Sequence, residues 1–229
     1  MENEQLFKKV QSFNEVLLEY FHFPGLKVID VGCGTGDLVR WMASQGAAVT
    51  GIDLSELIDK AEQFKRVGTE KYKVGIAQEL VFKKNSADLI IYLASFHHIP
   101  QNMMLKALKS CHQILKPDGH AVFIEPVAEV NSYYDLTRLV EDEADIQRIA
   151  YEYLRSSKEN MFEQIIESFF YTERSFQDYI KLINVYVPDE NQRERIIQQA
   201  KNIVLQKKET IETCRFRSNV RVNIFQKKI

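Results

Sequence analysis

The sequence predicts an α/β fold, a parallel sheet buried on both faces by helices. Three observations predict it. Between Lys27 and Pro126, short Val/Ile-rich runs alternate with amphipathic helical stretches. Those runs lack the polar alternation of a half-exposed sheet, so both of their faces must be covered. The first run leads straight into three glycines at alternate positions, Gly32, Gly34 and Gly36, and then into a helix. Composition agrees: of 229 residues, 45% are hydrophobic and 27% charged, enough apolar side chain for a full core and too much for a disordered chain.

In chain order, the residues before Pro24-Gly25 read as an amphipathic leader helix with Leu6, Val10, Phe13, Leu17 and Tyr20 on one side. Strands follow at Lys27–Val31, Ala48–Asp53, Tyr72–Ile76, Ala87–Leu93 and His120–Glu125, with helices at Gly36–Gln45, Ser55–Lys65 and Gln101–Leu115 between them. The third helix places Met104, Leu105, Leu108, Cys111, His112 and Leu115 near helical spacing and stops at the turn Lys116-Pro117-Asp118-Gly119. Residues 127–163 form a long helical stretch, more chain than a crossover needs. After it come a strand at Ile165–Tyr171, helices at Ser175–Ile183 and Asn191–Lys207, and a β-hairpin over Thr213–Gln226 turning near Ser218-Asn219. With no repeat and no low-complexity linker, residues 1–229 read as a single domain: an N-terminal cap (1–24), a ligand-binding core (25–126), a helical lid (127–163) and a C-terminal part (164–229) that completes the sheet.

Charge and cysteines narrow the class. Lys+Arg 30 against Asp+Glu 32 gives a net charge of −2, so no global basic field draws the chain to nucleic acid. Residues 125–190 carry 15 acidic and 6 basic side chains and residues 191–229 carry 3 and 10; like-sign runs of this kind read as solvated faces that neutralise one another. Three cysteines, Cys33, Cys111 and Cys214, lack metal-type spacing and point to a reducing cytoplasm. No apolar run is long enough for a bilayer, and Met1-Glu2-Asn3-Glu4 is unlike a signal peptide.

The glycine turn carries the chemistry. Alternate glycines let a backbone approach a ligand closely and expose amides at a helix N-terminus. Asp30 sits two residues before Gly32, within the strand end, where its carboxylate can face a cation or orient the turn. Asp53 ends the next strand, where it can take both hydroxyls of a ribose. The last glycine of the dinucleotide fingerprint would fall at position 37, which is Asp37; its charge would repel a pyrophosphate. The turn therefore suits an adenosine ligand without phosphates. A nicotinamide-dependent oxidoreductase is the rival, opposed by Asp37 and by the lack of a second catalytic domain.

The run Asp30-Val31-Gly32-Cys33-Gly34-Thr35-Gly36 resembles the class I S-adenosylmethionine-dependent methyltransferases, particularly those acting on small molecules. The resemblance covers residues 25–126, and the turn Leu115–His120 leading into Phe123-Ile124-Glu125 matches too. It implies a Rossmann-like, mostly parallel seven-stranded sheet of order 3-2-1-4-5-7-6, with strand 7 antiparallel and a helical lid insertion. It implies S-adenosyl-L-methionine as cofactor, S-adenosyl-L-homocysteine as product, and no metal. Gly32, Gly34 and Gly36 would flank the methionine part, with Asp30 and Cys33 in the same set. Asp53 would bind the ribose beside Leu54, Ala77 and Gln78 the adenine edge, and the Leu93 carbonyl the cofactor's amino group. Family members often carry an acidic residue where Ile76 stands; here Gln78 would have to supply the acceptor.

Ligands of open α/β sheets bind beyond the carboxyl ends of the strands, so Leu93-Ala94-Ser95-Phe96-His97-His98-Ile99-Pro100 should line the pocket. A nucleophile that loses a proton on methylation needs a base, and a neutral imidazole suits it near pH 7. His97 and His98 are the candidates, with a supporting role as the alternative. Neighbouring residues rarely point to one metal, which disfavours zinc. Cys33 reads as a packing residue. No G-x-S-x-G elbow and no Walker lysine are present. Tyr133, Tyr134 and Arg138 in the lid are candidate substrate contacts, and Phe169, Phe170 and Tyr171 a candidate aromatic wall, against ordinary core packing.

The expected activity is methyl transfer to the O, N or S of a small metabolite, by a cytoplasmic monomer or homodimer. Ala94-Ser95-Phe96-His97 stands where DNA amino-methylating relatives carry an acidic residue or Asn before Pro-Pro and an aromatic, which argues against nucleic acid. Two alternatives stay open: a catalytically silent cofactor-binding or partner-binding module, and an RNA or protein methyltransferase using the basic tail (Arg215, Arg217, Arg221, Lys227, Lys228).

Overall fold

The computed structural model describes residue 7 and residues 9–127, 132–157, 161–206 and 210–228. Its strands are β1 (Lys27–Val31), β2 (Ala48–Asp53), β3 (Lys71–Val74), β4 (Ala87–Leu93), β5 (Leu115–Pro126), β6 (Phe162–Ser175) and β7 (Arg215–Lys227). They form one sheet of order β3-β2-β1-β4-β5-β7-β6 with β7 antiparallel, the order the resemblance implies. The helices are α1 (Phe13–Tyr20), α2 (Asp37–Ser44), α3 (Ser55–Glu62), α4 (Gln101–Ile114), α5 (Tyr134–Thr137), α6 (Ala144–Ser157), α7 (Phe176–Tyr186) and α8 (Glu190–Gln206).

The chain divides into two compact units. The larger holds Phe13–Glu125, Ile146–Ser168 and Arg221–Ile229. Along its central strands Ile29, Val31, Ile90, Tyr92, Ala121 and Phe123 share one core with Met104, Leu108 and Cys111 of α4 and Ala150 and Leu154 of α6. The alternate residues Val28, Leu89, Ile91, Val122 and Ile124 are buried as well, so both faces are covered. That double burial is why these strands read as unbroken apolar runs. Parallel register pairs Asp30 with Gly51, Asp30 with Ile91 and Leu93 with Ile124. The carboxyl ends of β1, β2, β4 and β5, with Asp30, Asp53, Leu93 and Glu125, are thereby brought to one edge.

The smaller unit comprises Pro126–Asp145, Phe169–Val220 and the described residues before Phe13. Its core joins Tyr133 and Leu136 to Phe176, Tyr179 and Ile183 of α7 and to Ile196, Ala200 and Val204 of α8. Tyr179 donates its hydroxyl to the Leu136 carbonyl at 2.8 Å. A capping box opens α7: Ser175 accepts from the Asp178 amide while the Asp178 carboxylate accepts from the Ser175 amide, satisfying two end groups at once.

Four expectations need correction. The hairpin over Thr213–Gln226 is a single strand, β7. Ser218 and Asn219 are buried within it, and neither has the left-handed backbone a tight hairpin turn requires. The continuous helical stretch at 127–163 is two helices, α5 and α6, parted where the Asp142 carboxylate accepts the Ala144 amide. Residues 128–131 and 158–160 of that stretch lie outside the described residues. β3 ends at Val74, not Ile76, because its partner β2 runs out at Asp53. The leader helix spans only Phe13–Tyr20 and buries Val16 and Leu17; Leu6 lies outside the described residues, and Val10 makes an isolated bridge to Tyr171. Among the described residues no helix is long and apolar enough to cross a membrane.

Candidate active site

The turn between β1 and α2 is held from beneath by β2. The amides of Gly32 and Cys33 both donate to the Ile52 carbonyl, at 2.8 and 3.1 Å. Gly32 has φ +77°, and a Cβ there would stand 2.4 Å from the Ser95 Cβ. Gly36, at φ +79°, would drive a Cβ to 2.6 Å from the Tyr72 ring and hydroxyl. Both glycines are therefore required twice over, by backbone conformation and by space. Arg40 braces the turn from α2: one guanidinium nitrogen donates to the Thr35 carbonyl at 2.8 Å and another pairs with Asp37. That pairing lessens the repulsion of a pyrophosphate which the sequence assigns to Asp37, leaving the carboxylates below to define the ligand.

Asp53 sits at the tip of β2. Its Oδ2 accepts the Gly34 amide at 2.7 Å and its Oδ1 the Leu54 amide at 2.7 Å. Each oxygen keeps acceptor capacity for a further donor. Asp30 is only 1% exposed, and burial, with the Asp53 charge adding to it, pushes its carboxyl up to about 7. Among the described residues its Oδ1 has no hydrogen-bond partner. A buried carboxylate oxygen without a donor is costly unless something cationic completes it. Cys33 is buried, and burial first, then Asp30 and Asp53, push its thiol well up. It stays a thiol, packed where a Cβ on Gly51 would meet it at 2.8 Å, as the packing reading expected.

Beyond β2 and β3, Leu54 is 59% exposed and Ile76 is 38% exposed. Ala77 is buried and Gln78 half-buried in the short turn Ala77–Glu79. Leu93 ends β4; Ala94 next to it takes φ +47° and donates its amide to the Ile124 carbonyl at 2.8 Å.

The segment after β4 is organised by a residue that sequence reasoning did not single out. The Oε1 of Glu125 accepts the Ser95 amide at 3.1 Å and the Phe96 amide at 2.8 Å, and its Oε2 bonds His97 Nδ1. The Ser95 hydroxyl donates to the Val31 carbonyl at 2.6 Å, linking this segment to the glycine turn. Phe96 anchors it in the core, 5.7 Å from Tyr92 and 5.1 Å from Phe123 between ring centres. His97 is 3% exposed, whereas His98 is exposed, with its ring centre 4.1 Å from that of His97. The available signal for Glu125 was its place at a strand tip, like Asp30 and Asp53. Ser95, Tyr72 and Arg40 were also missed.

The predicted substrate contacts lie in the smaller unit. Tyr133 is buried there, 6.5 Å from Tyr179 between ring centres. Tyr134 donates its hydroxyl to Asp142 at 2.7 Å. Arg138 lies 5.9 Å from the centre of the Tyr134 ring and 3.5 Å from Asp135. Phe169 and Tyr171 pack on Phe7 at 5.4 and 5.0 Å, and Phe170 is buried. The aromatic wall is thus engaged in core packing.

Residues 29–123 match the methyltransferase domain family. That stretch, less than half of the chain, is similar to a methyltransferase domain. It contains the glycine turn, Asp53 and both histidines, while Glu125 falls just past its end. The ubiquinone biosynthesis O-methyltransferase of Pseudomonas syringae pv. tomato is 29% identical over 130 residues, covering 53% of this chain and 55% of the relative. That of Actinobacillus pleuropneumoniae is 32% identical over 130 residues, 51% of this chain and 55% of its own. The chain thus spans little more than half the length of these relatives. Two solved structures share the fold across nearly the whole chain. The YcgJ protein of Bacillus subtilis is 17% identical with a TM-score of 0.62, covering 94% of this chain and 97% of its own. An S-adenosylmethionine-dependent methyltransferase of Methanosarcina mazei is 18% identical with a TM-score of 0.57, covering 93% and 97%. The strand order and these structural likenesses give the chain the Rossmann-like seven-stranded fold that the two solved proteins share.

Proposed function

We propose that the chain is an S-adenosylmethionine-dependent methyltransferase acting on the oxygen, nitrogen or sulfur of a small molecule in the cytoplasm. The observation that carries this reading is the buried carboxylate oxygen of Asp30, without a partner among the described residues, beside the amide-held carboxylate of Asp53. A ligand that completes both must bring positive charge to the first and hydroxyls to the second, which is the chemistry of an adenosine bearing a cationic amino-acid tail. The O-methyltransferase names of the relatives favour oxygen as the acceptor atom.

When bound, S-adenosylmethionine supplies an electrophilic methyl on a sulfur cation. The protein's own part is to bind, orient and move one proton. Gly32, Gly34 and Gly36 keep the turn clear of side chains along the methionine part; Asp53 holds the ribose, with Leu54 beside it; Ala77 and Gln78 form the adenine edge; the Leu93 carbonyl accepts from the amino group. Asp30 places negative charge under the cationic part. His97 takes the acceptor's proton as the new bond to carbon forms, a contribution worth ~10²–10⁴ in rate for a well-placed base.

Calorimetry with S-adenosylmethionine and S-adenosylhomocysteine tests the reading, followed by incubation with methyl-labelled cofactor and a metabolite extract. Both nucleosides should bind, and label should appear in a low-mass product. If neither binds, the reading is overturned; binding without transfer assigns the silent module.

A further inference from the structure

Glu125 makes more contacts than a strand-end carboxylate needs for solubility. It is buried, and it reaches across from β5 to three consecutive residues of the segment after β4, through the Ser95 amide, the Phe96 amide and the His97 ring. Ser95, positioned by this carboxylate, in turn holds the Val31 carbonyl and fills the space opposite Gly32. Among the charged groups facing the carboxylate are His97, whose ring lies tilted beside that of His98, and Arg221 of β7. Arg221 is buried, lies 3.4 Å over the Tyr151 ring of α6 and donates through Nε to Asn223 Oδ1 at 2.8 Å, so it is fixed in place as the positive charge on that side.

We propose that Glu125 is the positioning residue of the transfer: by accepting from His97 Nδ1 it fixes the ring with its proton on that nitrogen, leaving Nε2 as the proton acceptor. This deepens the reading above and rests on it for the role of His97. The argument is one of valence. A neutral imidazole carries one proton, and a carboxylate whose other oxygen already accepts two amides can only accept from the ring. The tautomer is therefore set by the partner of Nδ1, and the lone pair appears on Nε2. With S-adenosylmethionine bound, the acceptor atom would bond the methyl carbon as the sulfur–carbon bond breaks and its electron pair returns to sulfur, leaving a neutral thioether. The acceptor's O–H, N–H or S–H bond would break with its pair kept by the acceptor, and the proton would pass to Nε2. The resulting imidazolium is held by the Glu125 charge.

Glu125→Gln separates this role from simple scaffolding. Its amide oxygen can still accept from Ser95 and Phe96, but its NH₂ then faces Nδ1 and requires a lone pair there, moving the ring proton to Nε2. Nitrogen-15 NMR of the imidazole, on protein without ligand, should show the proton on Nδ1 in the wild type and on Nε2 in E125Q. S-adenosylmethionine affinity should stay within about twofold while kcat falls on the order of 10²-fold. E125D keeps the charge one methylene back; it should retain the wild-type tautomer and recover part of kcat, and it serves if E125Q folds poorly. A wild-type proton on Nε2 overturns the proposal whatever the cofactor does. So does full kcat in E125Q with the tautomer inverted. Failure of S-adenosylmethionine to bind would instead overturn the proposed function, with the ring tautomer still decided by NMR.

Discussion

The Gly34 amide donates to Oδ2 of Asp53 at 2.7 Å across 19 residues of sequence. One carboxylate at the tip of β2 thus holds the glycine turn and, through its other oxygen, the start of α3. Hydrogen bonds to a charged acceptor contribute about 1.5–3 kcal/mol each, so Asp53 has a structural task besides the proposed ribose contact. Asp53→Ala should abolish measurable cofactor binding by calorimetry and also lower the melting temperature, by about 2–4 °C for each kcal/mol lost in a chain of this size. Asp53→Asn keeps one acceptor oxygen and the side-chain volume; it should lose binding with a smaller drop in melting temperature. Equal melting losses in the two variants would deny the two-bond account.

Asp30 makes the site pH-sensitive in a direction that follows from its burial. Its carboxyl is raised from 3.8 to about 7, so the folded protein without ligand holds this proton more tightly than the unfolded chain does. Stability from this group is complete below about pH 4 and is lost as pH rises towards 7. A cationic ligand reverses the preference and favours the ionised carboxylate. Cofactor binding should therefore release a proton at pH 6 and tighten as pH rises towards 7, by no more than about tenfold per pH unit, and then level off. Calorimetry in buffers of different ionisation enthalpy measures the proton directly. Asp30→Asn should bind more weakly and show no slope from this group; an unchanged slope would show that another group titrates.

The elements that could be read from the chain are those whose cause is local. The β1–turn–α2 unit was legible because Gly32 and Gly36 must adopt left-handed backbone, and Asp53 because it ends an apolar run. Glu125 was not, because its bonds reach residues 28–30 positions away and depend on the β4–β5 register. That register contains a shift, Ala87 pairing with Leu115 but Leu89 with His120, where the Lys116–Gly119 turn is absorbed into β5. Tyr72 escaped notice likewise: its ring closes over Gly36 and Gly51 only once β3 lies beside β2. Ser218-Asn219 looked like a turn because polar residues usually mark one. In β7 they are interior positions of a strand flanked by β5 and β6.

Gly32 and Ser95 should be energetically coupled. An alanine at φ +77° pays for left-handed backbone, about 1–2 kcal/mol, and its Cβ would meet the Ser95 Cβ at 2.4 Å, an overpacking cost of about 1–3 kcal/mol. Only the second cost depends on Ser95. In a double-mutant cycle read by denaturant unfolding, Gly32→Ala should cost about 2–5 kcal/mol in the wild type and only about 1–2 kcal/mol in a Ser95→Gly background. A coupling near zero would mean the turn relaxes away from Ser95 at no cost.

The two adjacent histidines should separate cleanly. His97 is buried against Glu125, while His98 is exposed, with its ring centre 4.1 Å from that of His97. His98→Ala removes no bond to Glu125 and exposes little that was covered, so turnover should stay within about threefold, the size of an ordinary surface change. His97→Ala removes the proposed proton acceptor and leaves a buried carboxylate oxygen without its ring partner, so it should lower both kcat and stability. Stability alone could imitate a catalytic loss, which is why His97→Gln is the sharper variant. Its side-chain amide can donate to Glu125 Oε2 but cannot take a proton near neutral pH. His97→Gln should therefore melt closer to the wild type than His97→Ala while remaining as inactive, on the order of 10²-fold down, with cofactor affinity unchanged. If His97→Gln keeps its activity and His98→Ala loses it, the base is the exposed ring, and the Glu125 contact serves only to hold the segment after β4.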